Sequence, residues 1–414
     1  MRATSTTILM KTVQTAVSAC LALVLATGGH AAEYAISGFG SLGGAITDES
    51  TIYQRYMDDS GTLMRDSLLG VQLDAKFNDQ WGAAAQVLIA PRTDEDTGVD
   101  PQCKWTFLSY RPANDWLFRL GRLSLGGLLN QQNMDVGVSY DLARLPNEVY
   151  LLSSAYDFDG MSIARTWNAN AYEITLEGSF GVQDRDFRGY KNGSEAAIYY
   201  STEVTGGGLV ATISDFDRTM VRIGWHLTEI DPDNANGFLS KYNFVPLGDG
   251  RYTLGAPDYT SRVRVNTFFL GARVPLGEFL VSGECTAVRP ADVDPAPPNI
   301  SAYISVARKL GNWTPYLTHA RIWTSEMDTW RRVRGASPVP LFGVTEVDID
   351  DGASTMAIFE QNSSMLGFTY TFTPKQKLKA EVMRTHIGER SAMFDGNLAH
   401  EDVMVYSLSY SFAF

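Results

Sequence analysis

The sequence predicts an all-β fold, a transmembrane antiparallel β-barrel of sixteen strands. Three observations carry this expectation. Segment after segment alternates apolar and polar side chains with a period of two, which places them on opposite faces of a strand. Beyond the N-terminal leader no apolar run reaches the ~20 residues of a spanning helix, whereas a barrel strand needs only ~9–11. Short turns alternate with long polar loops, the pattern of a barrel with tight turns on one rim and loops on the other.

Residues 1–32 read as a cleaved secretory signal. Arg2 and Lys11 supply a basic start, an apolar stretch runs from Val13 to Ala26, and Gly29-His30-Ala31-Ala32 forms a small-residue cleavage site. Val17-Ser18-Ala19-Cys20 resembles a lipoprotein box, but cleavage there would leave Leu21 to Leu25 at the new terminus. The expected barrel domain is 33–414.

The chain has 34 basic and 47 acidic residues, for a net charge of −13. That balance excludes a polybasic nucleic-acid footprint. Aromatic residues make up 11% and there are 37 glycines, which suits short strands better than helices. Cys103 and Cys285 remain after the leader, too few and too far apart for a disulfide framework.

Along the chain, Leu69, Val71, Leu73, Ala75 and Phe77 alternate with Gly70, Gln72, Asp74 and Lys76. Trp105, Phe107, Ser109 and Arg111 share one face if Thr106, Leu108 and Tyr110 take the lipid face. Tyr172, Ile174, Leu176 and Phe180 alternate with Glu173, Thr175, Glu177 and Ser179. Met220, Arg222, Gly224 and His226 stand opposite Val221, Ile223, Trp225 and Leu227. Cys285 shares parity with Phe279 and Val281 and so is expected to face lipid. Leu366, Phe368, Tyr370 and Phe372 alternate with Gly367, Thr369 and Thr371, and Leu378, Ala380 and Val382 with Lys377, Lys379 and Glu381. The last segment puts Met404, Tyr406, Leu408, Tyr410, Phe412 and Phe414 on one face and Val403, Val405, Ser407, Ser409, Ser411 and Ala413 on the other. Charge on the second face of strand after strand suits a polar channel and not a sandwich core.

Short turns are expected at 78–80, 112–115, 168–170, 215–218, 275–277, 311–313 and 373–376. Long loops are expected at 47–62, 91–101, 124–157, 183–193, 231–261, 289–299, 327–363 and 387–401. Seven turns and eight loops join sixteen strands. The stretch 195–216, with Gly206-Gly207-Gly208, reads as one bulged strand or as two.

On these residues the chain resembles the Gram-negative porin family, the sixteen-stranded general-diffusion porins and their porin-like relatives. Tyr34 to Gly43 is similar to the glycine-rich first strand, and Asp66 to Gln72 to the second. Phe118-Arg119-Leu120-Gly121-Arg122 resembles the end of the fifth strand, and Asp159 to Ile163 the start of the sixth. Phe414 resembles the C-terminal aromatic read by the barrel-assembly machinery. The family's Pro-Glu-Phe-Gly-Gly run is replaced by Leu128 to Asp135.

The resemblance implies an outer-membrane channel for passive diffusion of small hydrophilic solutes and ions, without cofactor or metal, with the third loop folded inward. It also implies a homotrimer whose second loop latches onto a neighbour, with Gly38, Gly40 and Gly44 permitting close packing. Lipid and lipopolysaccharide are the expected surroundings. A pore of this kind replaces part of a solute's hydration and imposes a size limit and a field. The usual arrangement opposes loop carboxylates to wall cations. The candidates are Asp135, Asp141, Glu148 and Asp157 on the loop, and Arg111, Arg119, Arg122, Arg222, Arg262 and Arg264 on the wall. The acidic balance points to mild cation preference, which an arginine cluster would reverse locally.

A solute-specific, anion-binding channel fits the same barrel. A barrel hydrolase would need a paired nucleophile and base, and His226, His319, His386 and His400 stand in no motif of that kind. Asp94, Asp96, Gly98 and Asp100, and Asp348, Asp350, Asp351 and Gly352, have calcium-like spacing without completing an EF-hand loop. Trp330 to Arg334 forms a basic, aromatic stretch in the seventh loop.

Overall fold

Sixteen strands follow one another around a closed barrel in the computed structural model, which describes residues 32–414 apart from 125, 152–156, 190–196, 216–218, 233–239, 260–261, 292, 341–342 and 397–399. The expected leader, save Ala32, lies outside the described residues, as does most of the expected turn at 215–218. The barrel strands are β1 (Glu33–Thr47), β2 (Leu68–Lys76), β3 (Trp81–Pro91), β4 (Val99–Tyr110), β5 (Trp116–Ser124), β6 (Asp157–Ala169), β7 (Tyr172–Gly189) and β8 (Ile198–Asp215). The circuit continues through β9 (Met220–Pro232), β10 (Val263–Leu276), β11 (Phe279–Pro290), β12 (Asn299–Arg308), β13 (Trp313–Thr324), β14 (Phe359–Thr373), β15 (Gln376–Ser391) and β16 (Asp402–Ala413). Neighbours pair antiparallel, and β16 closes on β1 through Gly40↔Phe412 and Leu42↔Tyr410. The long connections are numbered here L1 (48–67), L2 (92–98), L3 (125–156), L4 (190–197), L5 (233–262), L6 (291–298), L7 (325–358) and L8 (392–401).

The period-two pattern becomes an outside and an inside. Ile36, Leu42, Leu120, Phe180, Leu317 and Leu366 are exposed, while Ser305, Thr318, Ser363, Thr369 and Lys379 on the alternate positions are buried. Apolar residues outside and polar ones inside are what a barrel in lipid requires. Aromatic rings flank the short-turn rim, with Trp81 stacked on Tyr110 at 4.5 Å, Trp116 on Phe118 at 5.9 Å and Trp313 against Tyr370 at 4.7 Å. Rings in that position form the interfacial girdle of membrane barrels. The turns there use left-handed backbone at Asn170 (φ 57°), Gly277 (φ 61°) and Gly311 (φ 62°), as tight hairpins demand.

Strand ends differ from expectation where strands outrun the apolar belt. β7 continues to Gly189 and β15 to Ser391, beyond the expected loop starts at 183 and 387, and β14 begins at Phe359, before the expected loop end at 363. Above the belt the lipid no longer selects apolar side chains, so the sequence signal fades while the backbone ladder persists. Within the ambiguous stretch 195–216 the described residues Ile198–Asp215 form one strand, β8, paired with β7 in unbroken register. Its glycines admit close neighbours: a Cβ on Gly208 would lie 2.0 Å from the His226 ring.

The glycines of β1 have a local use. A Cβ on Gly38 would lie 2.2 Å from the Phe414 ring, and one on Gly40 would lie 2.7 Å from the Phe412 ring. At Gly38 and Gly40 the space is taken by the chain's own C-terminal rings, and at Gly44 a Cβ would lie 3.2 Å from the Leu63 side chain. Cys103 and Cys285 are free thiols, on β4 and β11.

The largest apolar cluster joins three loops to buried residues of the wall. Tyr53 and Met57 from L1, Leu128, Leu142, Leu145 and Val149 from L3, and Met393 and Phe394 from L8 pack against Ile322, Met365, Met383 and Val403 of the wall. Each such side chain taken fully out of water contributes ~1.5–3 kcal/mol. A second cluster lies beyond the barrel. There Trp330 and Val333 of α2 (Asp328–Arg334; α1 is the short helix Asn147–Tyr150 of L3) and Ala353 of α3 (Glu346–Thr355) meet Tyr242 and Phe244 of L5.

Candidate functional site

L3 joins β5 to β6, and its first limb opens with a local cap. Gln131 Oε1 accepts the amides of Gly127 (2.9 Å) and Leu128 (3.0 Å). Arg222 of β9 donates to the Leu128 carbonyl at 2.6 Å, and Arg273 of β10 donates to Asn130 Oδ1 at 2.8 Å. Glu284 of β11 accepts three bonds: the Leu129 amide (2.5 Å), the Tyr150 hydroxyl (2.5 Å) and the Tyr303 hydroxyl (2.8 Å). Burial and the facing carboxylate push the Tyr150 hydroxyl well above its ordinary pKa, so it stays a donor.

The far limb is bound to β13–β16. Lys379 donates to the carbonyls of Gly137 (2.7 Å) and Leu142 (2.8 Å) and sits 4.0 Å over the Tyr140 ring. Tyr316 accepts the Ala143 amide at 2.8 Å and donates to Glu381 at 2.8 Å. Lys377 pairs with Asp141 at 2.7 Å, whose carbonyl accepts the Thr369 hydroxyl. Arg144 holds Asp66 of L1 through bonds of 3.0 and 2.5 Å. Burial alone would raise the Asp66 carboxyl; the Arg144 guanidinium overrides it and holds the group below the usual carboxylate range.

A third contact crosses to β4. Gln86 pairs with Trp105 and Val87 with Cys103, so Lys104 is an extra residue in the β4 ladder. Such a bulge re-aims a side chain. The Lys104 ammonium lies 3.5 Å from Asp135 and 3.4 Å from Asp157. Beside it, Arg119 of β5 donates to Glu177 of β7 at 3.2 Å and lies 5.9 Å from the Phe107 ring centre.

The lining is uneven. On β12–β16 the inner positions Ser301, Thr318, Ser363, Thr369, Lys379, Thr385 and Val405 are almost wholly buried. On β2–β9 the inner positions Gln72, Ser109, Arg119, Thr166, Glu177, Thr212 and Arg222 stay partly exposed, while Gln86, Ser162, His226 and Thr228 are buried.

The expected site residues therefore fall into groups. Asp135, Asp141, Glu148 and Asp157 all meet wall side chains, Glu148 through Gln361 (2.9 Å) and Ser363. Arg119 and Arg222 stand on the inner face as described. Arg111 is exposed at the short-turn rim, its amide bonded to the Gln80 carbonyl at 2.7 Å. Arg122 shares the outer face of Leu120 and pairs with Asp159 at 3.4 Å. Arg264 shares the outer face of Phe268 and Leu270; it and Arg262 pair with Glu229 at 3.4 and 3.0 Å. Strand parity separates these outward arginines from inward ones, and charge alone does not. Lys104, Glu177, Arg144, Glu284 and Lys379 were not singled out by sequence. For Glu284 and Lys379 the signal was present, since each alternates with an apolar outward residue.

Four outer segments also meet at Arg188 of β7. It donates to Asp96 of L2 at 2.8 and 2.9 Å and to Asp395 of L8 at 2.8 Å, while Arg55 of L1 and Tyr199 of β8 bond Asp96 at 3.0 and 2.7 Å. Burial opposes the charge on Asp96, but the bonds from Arg188 and Tyr199 outweigh it and lower the carboxyl's pKa. Asp94 is held by Arg92 at 3.0 and 2.8 Å. Asp94 and Asp96 of the calcium-like spacing thus serve arginines, and Asp100, on β4, accepts the Gln102 side-chain amide at 3.1 Å. The second such spacing, at 348–352, lies within helix α3. The Trp330–Arg334 stretch is helix α2, with Arg331 paired to Glu389 at 2.7 Å and Arg334 over the Trp330 ring at 4.8 Å.

No family model matches the sequence, and no curated protein matches it. Solved structures do. The trimer form of OmpT, an outer membrane protein of Vibrio cholerae, is 12% identical over 93% of this chain and 100% of its own, with a TM-score of 0.52. The anion-selective porin from Comamonas acidovorans is 13% identical over 93% and 100%, with a TM-score of 0.51. OprB of Pseudomonas putida, in its high-pH structure, is 9% identical over 95% and 96%, with a TM-score of 0.52. With its closed circuit of sixteen antiparallel strands, apolar outside and polar inside, the chain has the fold of the Gram-negative outer-membrane porins.

Proposed function

We propose that the chain is an outer-membrane channel for passive diffusion of small hydrophilic solutes and ions, exported through the leader 1–32 and built by the barrel 33–414. The uneven lining carries this reading. One half of the inner wall is sealed beneath L1, L3 and L8, and the other half, β2–β9, keeps polar and charged positions in reach of water. L3 folds into the lumen and narrows it. The narrow zone is edged by Asp135 of L3 and by Lys104, Asp157, Arg119, Glu177 and Arg222 of the wall. Opposed charges there replace part of a solute's hydration and set a field, and no bond is made or broken.

The trimer form of the Vibrio cholerae relative supports a homotrimer for this chain. Lipopolysaccharide surrounds the outer rim in this reading, and Phe414 is read by the barrel-assembly machinery. Single-channel recording in a planar bilayer tests the proposal: stepwise conductance is expected, and purified, folded protein that gives none overturns it. A solute-specific channel is favoured by one observation, the approach of a single ammonium to two carboxylates within 3.5 Å. Saturable block by one class of solute would select that reading.

A further inference from the structure

We infer that Glu284 is the positioning residue that fixes the near limb of L3, and thereby the width of the passage. The inference rests on the channel reading above, which it deepens. Glu284 is 3% exposed, and its two oxygens receive donors from three separate segments. One is the Leu129 amide at the start of L3, one is the Tyr150 hydroxyl on α1 near its end, and one is the Tyr303 hydroxyl on β12. The Tyr150 oxygen in turn accepts the Asn130 amide at 3.2 Å and the Asn130 side chain at 3.3 Å. Both ends of the loop therefore converge on one carboxylate.

Two features make this pin separate from the rest of the loop's attachment. Lys379, Tyr316 and Arg144 hold residues 137–144 to other segments, so loss of Glu284 acts on the limb at 127–133 and on Tyr150, leaving that limb only the bonds from Arg222 to the Leu128 carbonyl and from Arg273 to Asn130. The wall is also shaped to receive that limb. A Cβ on Gly271, the cross-strand partner of Glu284, would lie 2.9 Å from the Leu129 side chain, and one on Gly127 would lie 3.0 Å from the Phe269 ring. The backbone of the limb and the wall touch with no slack, and the carboxylate supplies the directional bonds.

Hydrogen exchange and conductance of the detergent-folded protein test the inference together. Glu284→Ala is expected to speed amide exchange over 127–133 at least roughly tenfold, because buried donors are left without an acceptor, while β1–β16 keep their protection. Its channels should be wider and noisier, passing larger neutral polymers than wild type. Glu284→Gln, which keeps one acceptor oxygen, should restore much of both. Tyr150→Phe removes the bond to Glu284 and the two from Asn130 while keeping the carboxylate, and should loosen the limb even if Glu284→Ala does not fold. Unchanged exchange at 127–133 in a folded Glu284→Ala or Tyr150→Phe protein overturns the pin. Faster exchange with an unaltered polymer cutoff overturns its effect on width. A wild-type protein that does not conduct overturns the channel reading instead, and exchange still decides the pin.

Discussion

Lys104 reaches Asp135 at 3.5 Å only because it is the surplus residue of a bulge in β4. Without the extra residue its parity would alternate with Trp105 and aim it at lipid. The bulge makes it the one described cation between two carboxylates of L3 and β6. Lys104→Gln removes that positive charge and leaves Asp135 and Asp157 facing the passage. The expected outcome is a shift of reversal potential toward cations, about two- to threefold in permeability ratio, given how strongly a cleft of one sign focuses ions. An unchanged reversal potential would place Lys104 away from the ion path.

Arg119 and Glu177 give a paired test of opposite sign. They bond at 3.2 Å on the partly exposed half of the wall, with side chains 19% and 21% exposed. Glu177→Gln leaves an uncompensated guanidinium and should favour anions. Arg119→Gln leaves a carboxylate and should favour cations. Both shifts should shrink in molar salt, where the Debye length falls to ~3 Å. Recording both variants in a salt gradient checks the sign, and two shifts of the same sign would contradict the placement.

Sequence carried the barrel further than it carried the site. The alternation through Leu366, Phe368, Tyr370 and Phe372 is legible because lipid selects every second side chain whatever its partner. The connection lengths then yield the strand count, which the closed circuit matches. Site contacts have no such period. Tyr150 and Glu284 are 134 residues apart, and Tyr316 meets Ala143 across 173. Lys104 was further hidden because a bulge breaks the parity that would have placed it. Arg122 and Arg264 were selected for charge near a loop, yet their neighbours Leu120 and Phe268 put them on the outer face.

Acid should loosen L1 from L3. Asp66 has its pKa held below the usual range by Arg144, against the effect of burial. A depressed folded-state pKa contributes stability that is fully present above the ordinary carboxylate value of ~3.9 and is lost as pH falls through the folded value. Wild type should therefore lose thermal stability in detergent as pH drops below about 4. Asp66→Asn should be less stable than wild type at pH 7, by about 3–5 kcal/mol if Arg144 is left buried and unpaired. Its further loss on acidification should be smaller than that of wild type. Parallel losses in the two proteins would show that this pair does not set the acid limit.

Closure of the barrel depends on the fit of Phe414 against Gly38. The two residues exchange backbone bonds of 2.9 and 3.1 Å, and the ring covers the face where a side chain on Gly38 would stand. Gly38→Val puts a branched side chain where the first added carbon already lies 2.2 Å from the ring. The ring must leave its seat, and overpacking of this kind costs about 1–3 kcal/mol. The expected result is a smaller folded fraction in detergent, read as heat-modifiable migration of unboiled samples. Deleting Phe414 leaves the slot empty and not overfilled, so detergent folding should suffer less than in Gly38→Val, while assembly in the outer membrane should fall sharply if the terminal aromatic is read there. A Gly38→Val protein that folds as well as wild type would remove the seam from the account. A Phe414 deletion that assembles normally in cells would remove the terminal ring's role in delivery and leave its role at the seam intact.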